Sequence, residues 1–302
     1  MRTELSIEQM IDRVVAEQTI AQRTIATGRS IGTLQERCRA LTQAIVLALD
    51  NTSARSFSTL KKHAIRAAVE LWNVVPSPLG DGDAKTETIG TYRRTVNTCP
   101  PSCAHLINKE CYTMRGNVKM HQQRASKSVE ADLAAVAIGG AIASKTQGDL
   151  RLMIAGGWAQ YGDVVGGSVD LEFARCVATI LDVCGVDASR CWSYTHFPDP
   201  RDVRDLRDAL NGTVTIWHSD GADGMGRSIT VDSFDKHDRK KGEIYCPNQR
   251  TKKRAIKDNP KVSISDLYAS GDIVTCRTCR LCLDDDRSGS VTDRRTIVFQ
   301  MD

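Results

Sequence analysis

The chain has 302 residues, 41% of them hydrophobic and 26% charged, with a formal net charge of +4. That is the composition of an ordinary globular protein, long enough for one large core or two smaller ones. No window approaches 18 consecutive apolar residues, so no membrane-spanning helix and no membrane partner is expected. The mild positive charge permits a nucleic-acid partner without arguing for one.

The N-terminus, Met1-Arg2-Thr3-Glu4-Leu5-Ser6, lacks the apolar core of a secretory signal. The chain is therefore expected to stay in the reducing cytoplasm where it is made. Eleven cysteines are an odd number, which argues against a complete disulfide framework. In a reducing compartment, clustered cysteines are more often metal ligands or catalytic groups.

In chain order, residues 5–49 read as helical, broken at Gly28–Gly32. Leu34, Cys38, Leu41, Ile45 and Leu49 form one apolar stripe. A further helix is predicted over Ser58–Trp72. The turn-rich run Val75–Gly82 reads as a linker. Beyond it, short apolar runs alternate with helical segments. Strands are predicted at Thr86–Arg94, Leu150–Ala155, Cys191–Phe197, Thr213–His218, Ser228–Phe234 and Glu243–Cys246. Helices are predicted at Val129–Ser144, Asp170–Cys184 and Pro200–Leu210. Asp170 is a plausible N-cap, and Gly185 and Asn211-Gly212 supply stops. Lys252–Lys261 is polar and reads as an exposed loop. This β-α-β alternation implies an α/β fold with a parallel sheet. Three units are expected: an N-terminal helical module over 1–75, a partial (β/α) barrel-like core over 84–245, and a C-terminal cysteine-rich segment over 246–302.

Seven cysteines fall into two sets. The first is Cys99, Cys103 and Cys111, within a loop that follows the strand at Thr86–Arg94. Thiolate is the soft ligand preferred by zinc and iron–sulfur clusters. Three ligands leave a coordination position open, as catalytic metal sites require. A structural zinc completed by His105 or His121 is the competing reading. The second set is Cys276, Cys279 and Cys282, in the C-x2-C-x2-C spacing of ferredoxin-type [4Fe–4S] sites. There the remaining ligand is remote and followed by proline, and Cys246-Pro247 offers such a cysteine. A four-cysteine zinc ribbon competes with this reading. Arg277, Arg280 and Arg287 stand nearby, suited to cluster charge or an anionic partner. Cys38, Cys176, Cys184 and Cys191 lie in helix and strand patterns and read as core.

In parallel α/β folds ligands bind at the carboxyl ends of strands. Gly156-Gly157 would let a ligand approach the backbone there. Tyr194, His196 and His218 lie at or near such ends and are the candidate substrate-facing residues.

These residues carry two resemblances. Thr98-Cys99-Pro100-Pro101-Ser102-Cys103 with Cys111-Tyr112, then Tyr194-Thr195-His196, then Cys246-Pro247-Asn248-Gln249 with the run Cys276–Arg287, resemble a phage- and plasmid-borne family of uncharacterised function. That match covers roughly residues 85–300 and implies a host-cytosol location. The layout is also similar to radical S-adenosylmethionine enzymes, which pair a partial (β/α)6 barrel with a three-cysteine loop after the first strand. Their loop is usually C-x3-C-x2-C, where this chain has C-x3-C-x7-C. Trp158 follows Gly157 where an acidic residue is usual. The resemblance implies a [4Fe–4S] cluster on Cys99, Cys103 and Cys111, with Tyr112 beside it. Gly156 and Gly157 would then hold S-adenosylmethionine. The second cysteine set would carry an auxiliary [4Fe–4S] cluster, and a flavodoxin- or ferredoxin-like reductant would supply electrons. The alternative is a zinc-stabilised, non-enzymatic protein that binds nucleic acid or another protein.

Overall fold

The computed structural model describes residues 33–80, 90–92, 94–103, 128–153, 156–162, 166–219, 227–231, 233–240, 242–279, 281–283 and 296–300. His105, Cys111, Tyr112, His121, Arg280 and Arg287 lie outside them, as does the helical reading of residues 5–32.

Two helices come first. Thr33 opens α1 (Leu34–Asp50) with a capping box: its hydroxyl accepts from Glu36 N, and its own N–H donates to the Glu36 carboxylate at 2.7 Å. Cys38, Leu41, Ile45 and Leu49 are its buried stripe. Ser56 caps α2 (Phe57–Trp72), which buries Leu60, Ala64 and Ala68 and ends on Asn73 in the left-handed region at φ 52°.

The elements that follow alternate. In order they are β1 (Leu79–Gly80), β2 (Gly90–Tyr92), α3 (Val129–Thr146), β3 (Leu150–Arg151), α4 (Leu171–Cys184), β4 (Cys191–Thr195), α5 (Pro200–Leu210), β5 (Thr215–Ser219), β6 (Arg227–Val231) and β7 (Glu243–Tyr245). Three helices, α6 (Pro247–Asp258), α7 (Ile264–Ala269) and α8 (Cys276–Cys279), precede the last strand, β8 (Thr296–Gln300). The sheet order is β1-β2-β3-β4-β5-β6-β8-β7. β1 is antiparallel to β2, and every other neighbouring pair is parallel. The ends of the order do not pair, so this is an open, partial barrel-like α/β fold, as the alternation of strands and helices implies.

Helix α3 has no polar face. Residues 131–143 are buried throughout, which marks a central helix rather than a surface one. It packs against α1, α2, α4 and the sheet. Glycine makes the tightest of these contacts: a Cβ on Gly140 would stand 3.0 Å from Cys184 Sγ. Asp170 caps α4 through Phe173 N at 3.0 Å, and Gly185 ends it at φ 64°. Pro200 at the start of α5 and Asn211 at its end do the same service.

Two expectations change. Val75–Gly82 is not a bare linker, because β1 lies within it. Ser77 is buried there, with its hydroxyl on Asp132 at 2.7 Å and its N–H on Ala131 O. Lys252–Lys261 is helical as far as Asp258, since α6 buries Asn248 and Ala255 as a narrow inner face. The three expected units also share structure. α1 and α2 enter the same core as α3 and α4, and β8 from the C-terminal segment lies between β6 and β7. No described helix is long and apolar enough to cross a membrane.

Candidate metal centre

The sheet has two unlike faces, and the two-residue period of its strands separates them. Leu150, Leu152, Cys191 and Ile216 enter the helix-covered core. Their neighbours Arg151, Trp192 and Tyr194 point to a cavity on the opposite face, which Ile297 and Phe299 of β8 also line. The remaining wall is built by Cys246, Pro247, Asn248, Cys276, Cys279 and the turn Leu281–Leu283. All four cysteines expected in the second set thus reach one cavity.

Local structure explains how. Cys246 follows β7 directly and extends its ladder, donating N–H to Val298 O at 2.8 Å. Pro247 then starts α6 at a position where proline's missing N–H costs nothing. Downstream, Cys276 to Cys279 form one helical turn, capped by Thr275 and Thr278. Residues three apart share a helix face, so the C-x2-C step presents both thiols on one side. Asn248 ties the halves together, with Nδ2 on Val274 O at 2.8 Å and on Tyr268 Oη at 3.0 Å. Thr251 Oγ1 accepts from Val274 N at 3.0 Å. Trp217 fixes the last turn, its Nε1 donating to Cys282 O at 2.8 Å.

Tyr194 Oη lies 3.0 Å from Cys282 Sγ, and the Arg151 guanidinium carbon lies 5.5 Å from the Tyr194 ring centroid. Burial pushes the Cys282 thiol up to about 12. Cys246 and Cys276 push the same way, while the Tyr194 hydrogen bond and Arg151 oppose it. Burial, then Cys282, also holds the Tyr194 phenol well above its ordinary value. Without metal these groups are neutral, and ligation would have to displace protons. Among the described residues, no three His, Cys, Asp or Glu side chains are arranged for one metal ion to take them all.

The two described cysteines of the first set sit elsewhere. Cys99 is half-buried and Cys103 buried, after a 3-10 turn at Val96–Thr98, and neither lines the cavity. Gly156 and Gly157 lie against this loop. Gly156 has φ +77°, and a Cβ there would stand 2.6 Å from Thr95 O. A Cβ on Gly157 would stand 2.7 Å from Thr98 O, and Gly157 N donates to Thr98 Oγ1 at 3.0 Å. The close approach that glycine permits is taken up here by protein backbone rather than by a ligand. Gly166 N adds a bond to Cys99 O at 2.7 Å. Trp158 is fully buried, with Nε1 donating to Ser193 Oγ at 3.1 Å.

A buried ion pair braces the same loops. Arg94 Nε meets Asp132 Oδ2 at 2.9 Å, with both side chains fully buried. Arg94 Nη1 donates to Gly157 O at 3.0 Å. Its guanidinium carbon stacks 3.9 Å from the Phe173 ring centroid. Asp132 also accepts from Ser77 and Tyr161. Such a pair depends on further partners for its donors and acceptors; here Gly157 O, Ser77 and Tyr161 supply them, and Arg94 Nη2 lies 4.0 Å from Asp170 Oδ2.

Of the three candidate substrate-facing residues, Tyr194 alone lines the cavity. His196 is half-buried just past the end of β4. His218 is buried, and its Nε2 donates to Phe197 O at 2.6 Å. Phe197 belongs to the helix-side core, so His218 is held on the wrong face for the cavity. Arg151, Trp192, Trp217 and Phe299 are site residues that the motifs did not point to. Strand alternation through Tyr194 was the available signal for Trp192.

Fold and site together define an α/β protein with a cysteine-lined cavity on the open face of its sheet. Comparison with known protein families, curated proteins and solved structures gives no match.

Proposed function

We propose that this chain is an iron–sulfur protein whose C-terminal cluster is held by Cys246, Cys276, Cys279 and Cys282. One observation carries the reading: cysteines from two distant stretches of sequence line a single, largely apolar cavity. The residue types suit the group. Four thiols are the ligand complement of a [4Fe–4S] cluster. Trp192, Leu283, Ile297 and Phe299 would keep water from it, while Tyr194 would donate a hydrogen bond to a ligand sulfur. A bound cluster would supply one-electron chemistry. The chain's own part is to hold the ligand turn, through Asn248 and Trp217, and to set the polarity around it.

The radical S-adenosylmethionine-like arrangement belongs to the same proposal, with Cys99, Cys103 and Cys111 as an open three-thiolate site. Stiff Pro100 and Pro101, the Thr98 hydrogen bonds and the Arg94–Asp132 brace would hold that loop's shape. Gly156 and Gly157 serve that bracing. S-adenosylmethionine would have to be held by other groups.

The test is anaerobic purification with iron, sulfide and zinc counted per chain. About four iron and four sulfide atoms are expected for the C-terminal site. Cys276→Ser should abolish that complement. Zinc without iron would replace the proposal with a zinc-stabilised binding protein. A metal-free chain after reconstitution would remove both.

A further inference from the structure

We infer that the outer face of α6 binds the phosphate backbone of a nucleic acid. Arg250, Lys253, Arg254, Lys257 and, just past the helix, Lys261 recur at three- and four-residue steps. At 3.6 residues per turn that spacing puts the four helical residues, Arg250, Lys253, Arg254 and Lys257, on one stripe, with Lys261 in the segment that follows the helix. The opposite side holds the buried Asn248 and Ala255, so the stripe points outward. Arg250, Lys253, Arg254, Lys257 and Lys261 are all exposed, and the Arg254 side chain is 84% exposed. Two of the charges are partly met, Lys253 by Asp235 and Arg254 by Asp258 at 3.5 Å. The stripe remains positive over two helical turns and beyond.

The ordinary reading of such a run is a solvated helix face. Three features favour a polyanion. The chain as a whole is only +4, so this concentration of charge is local. Arg250, Arg254 and Lys257 step along a rigid helix by about 6 and about 4.5 Å, at about 1.5 Å per residue, which suits a ligand of repeating charge. The helix also starts at the cavity, since Pro247 and Asn248 line it and Cys246 precedes it. A backbone lying on α6 would therefore pass the rim of the cysteine site. An anionic membrane is the weaker fit, because the helix turns its narrow apolar side inward and lipid insertion needs that side outward. The inference stands whether or not the cysteines carry metal.

The test is fluorescence anisotropy of the full chain with labelled single-stranded RNA, single-stranded DNA and duplex DNA of equal length, across a salt series. Arg250→Glu, Arg254→Glu and Lys257→Glu together should weaken binding roughly 100-fold near physiological salt. They should also flatten the log–log salt slope by about 3 on duplex DNA. A control with the same charge change on the exposed α2 side, Arg55→Glu, Lys62→Glu and Arg66→Glu, should cost less than about 3-fold. Circular dichroism of both triple variants checks that each folds. The order of affinity among the probes identifies the kind of nucleic acid. Equal losses in the two variants would show that net charge alone acts, and would overturn the assignment. So would no saturable binding to any probe, or binding to anionic vesicles that the α6 variant loses while nucleic-acid binding persists.

Discussion

Both faces of the sheet bury cysteines, and for different reasons. On the helix side, Cys38, Cys176, Cys184 and Cys191 fill space among aliphatic neighbours. They act there as small hydrophobes. On the other side, Cys246, Cys276, Cys279 and Cys282 surround a cavity shared with a tyrosine and an arginine. The helix side also buries a charge pair, whose partners Gly157, Ser77 and Tyr161 are groups of the fold itself. The cavity side leaves thiols beside empty space. Burial alone therefore does not separate a cysteine packed in a core from one that lines a cavity; what the sulfur faces does.

The largest effect that can test this contrast is removal of the brace. Asp132→Ala strands the fully buried Arg94 guanidinium and deprives Ser77 and Tyr161 of their acceptor. Breaking a buried pair on one side costs about 3–5 kcal/mol. Denaturant unfolding of the metal-free protein should show that loss. What folded protein survives should still load the C-terminal site, because none of the brace residues lines the cavity. A loss under about 1 kcal/mol would mean the pair braces nothing.

A smaller, crossed effect compares cysteine with cysteine. Cys176→Ser puts a hydroxyl into an apolar core beside Cys38, at a cost of about 1–3 kcal/mol. Its metal content should not change. Cys279→Ser alters a half-buried residue on a one-turn helix and should move metal-free stability by less than about 0.5 kcal/mol. It should nevertheless abolish metal loading at the C-terminal site. Metal loss in Cys176→Ser, or full loading in Cys279→Ser, would collapse the distinction between the two faces.

Much of this architecture was legible in the sequence, because its elements carry local signals. Asp170 and Gly185 bracket α4, Pro200 and Asn211 bracket α5, β4 and β7 fall within their predicted runs, and β5 overruns its own by one residue. What was not legible depends on distance or on weak pattern. The β-branched and aromatic run Thr296–Gln300 carries a strand signal that could have been read, but only long-range pairing places it between β6 and β7. Helix α6 hides its two buried residues among charges, although Pro247 after Cys246 was a start signal that could have been read. His218 shows the limit of counting strand ends. It shares a strand with Trp217 but is one residue out of phase, and a period of two sends it to the other face. The C-x2-C step could be read as two cysteines on one short turn, as Cys276 and Cys279 are. Only the folded chain brings Cys246 to it.

The smallest effect tests the contact that joins the sheet to the Leu281–Leu283 turn. Tyr194→Phe removes the hydroxyl 3.0 Å from Cys282 Sγ and keeps the ring under Arg151 and against Phe299. In the metal-free protein it replaces one neutral hydrogen bond, worth about 0.5–1.5 kcal/mol. In a cluster-loaded protein the same hydroxyl would donate to a thiolate ligand, and such bonds stabilise the more negatively charged, reduced state. Tyr194→Phe should therefore lower the cluster's midpoint potential while iron and sulfide content stay unchanged, as read by redox titration under electron paramagnetic resonance. Substituting Trp158, whose Nε1 is on Ser193 on the helix side, should cost stability and leave the potential where it was. If Tyr194→Phe loads normally and its potential does not move, the hydroxyl points away from the ligand sulfur once metal is bound. The cavity face would then hold its cysteines by shape alone, as the helix face does.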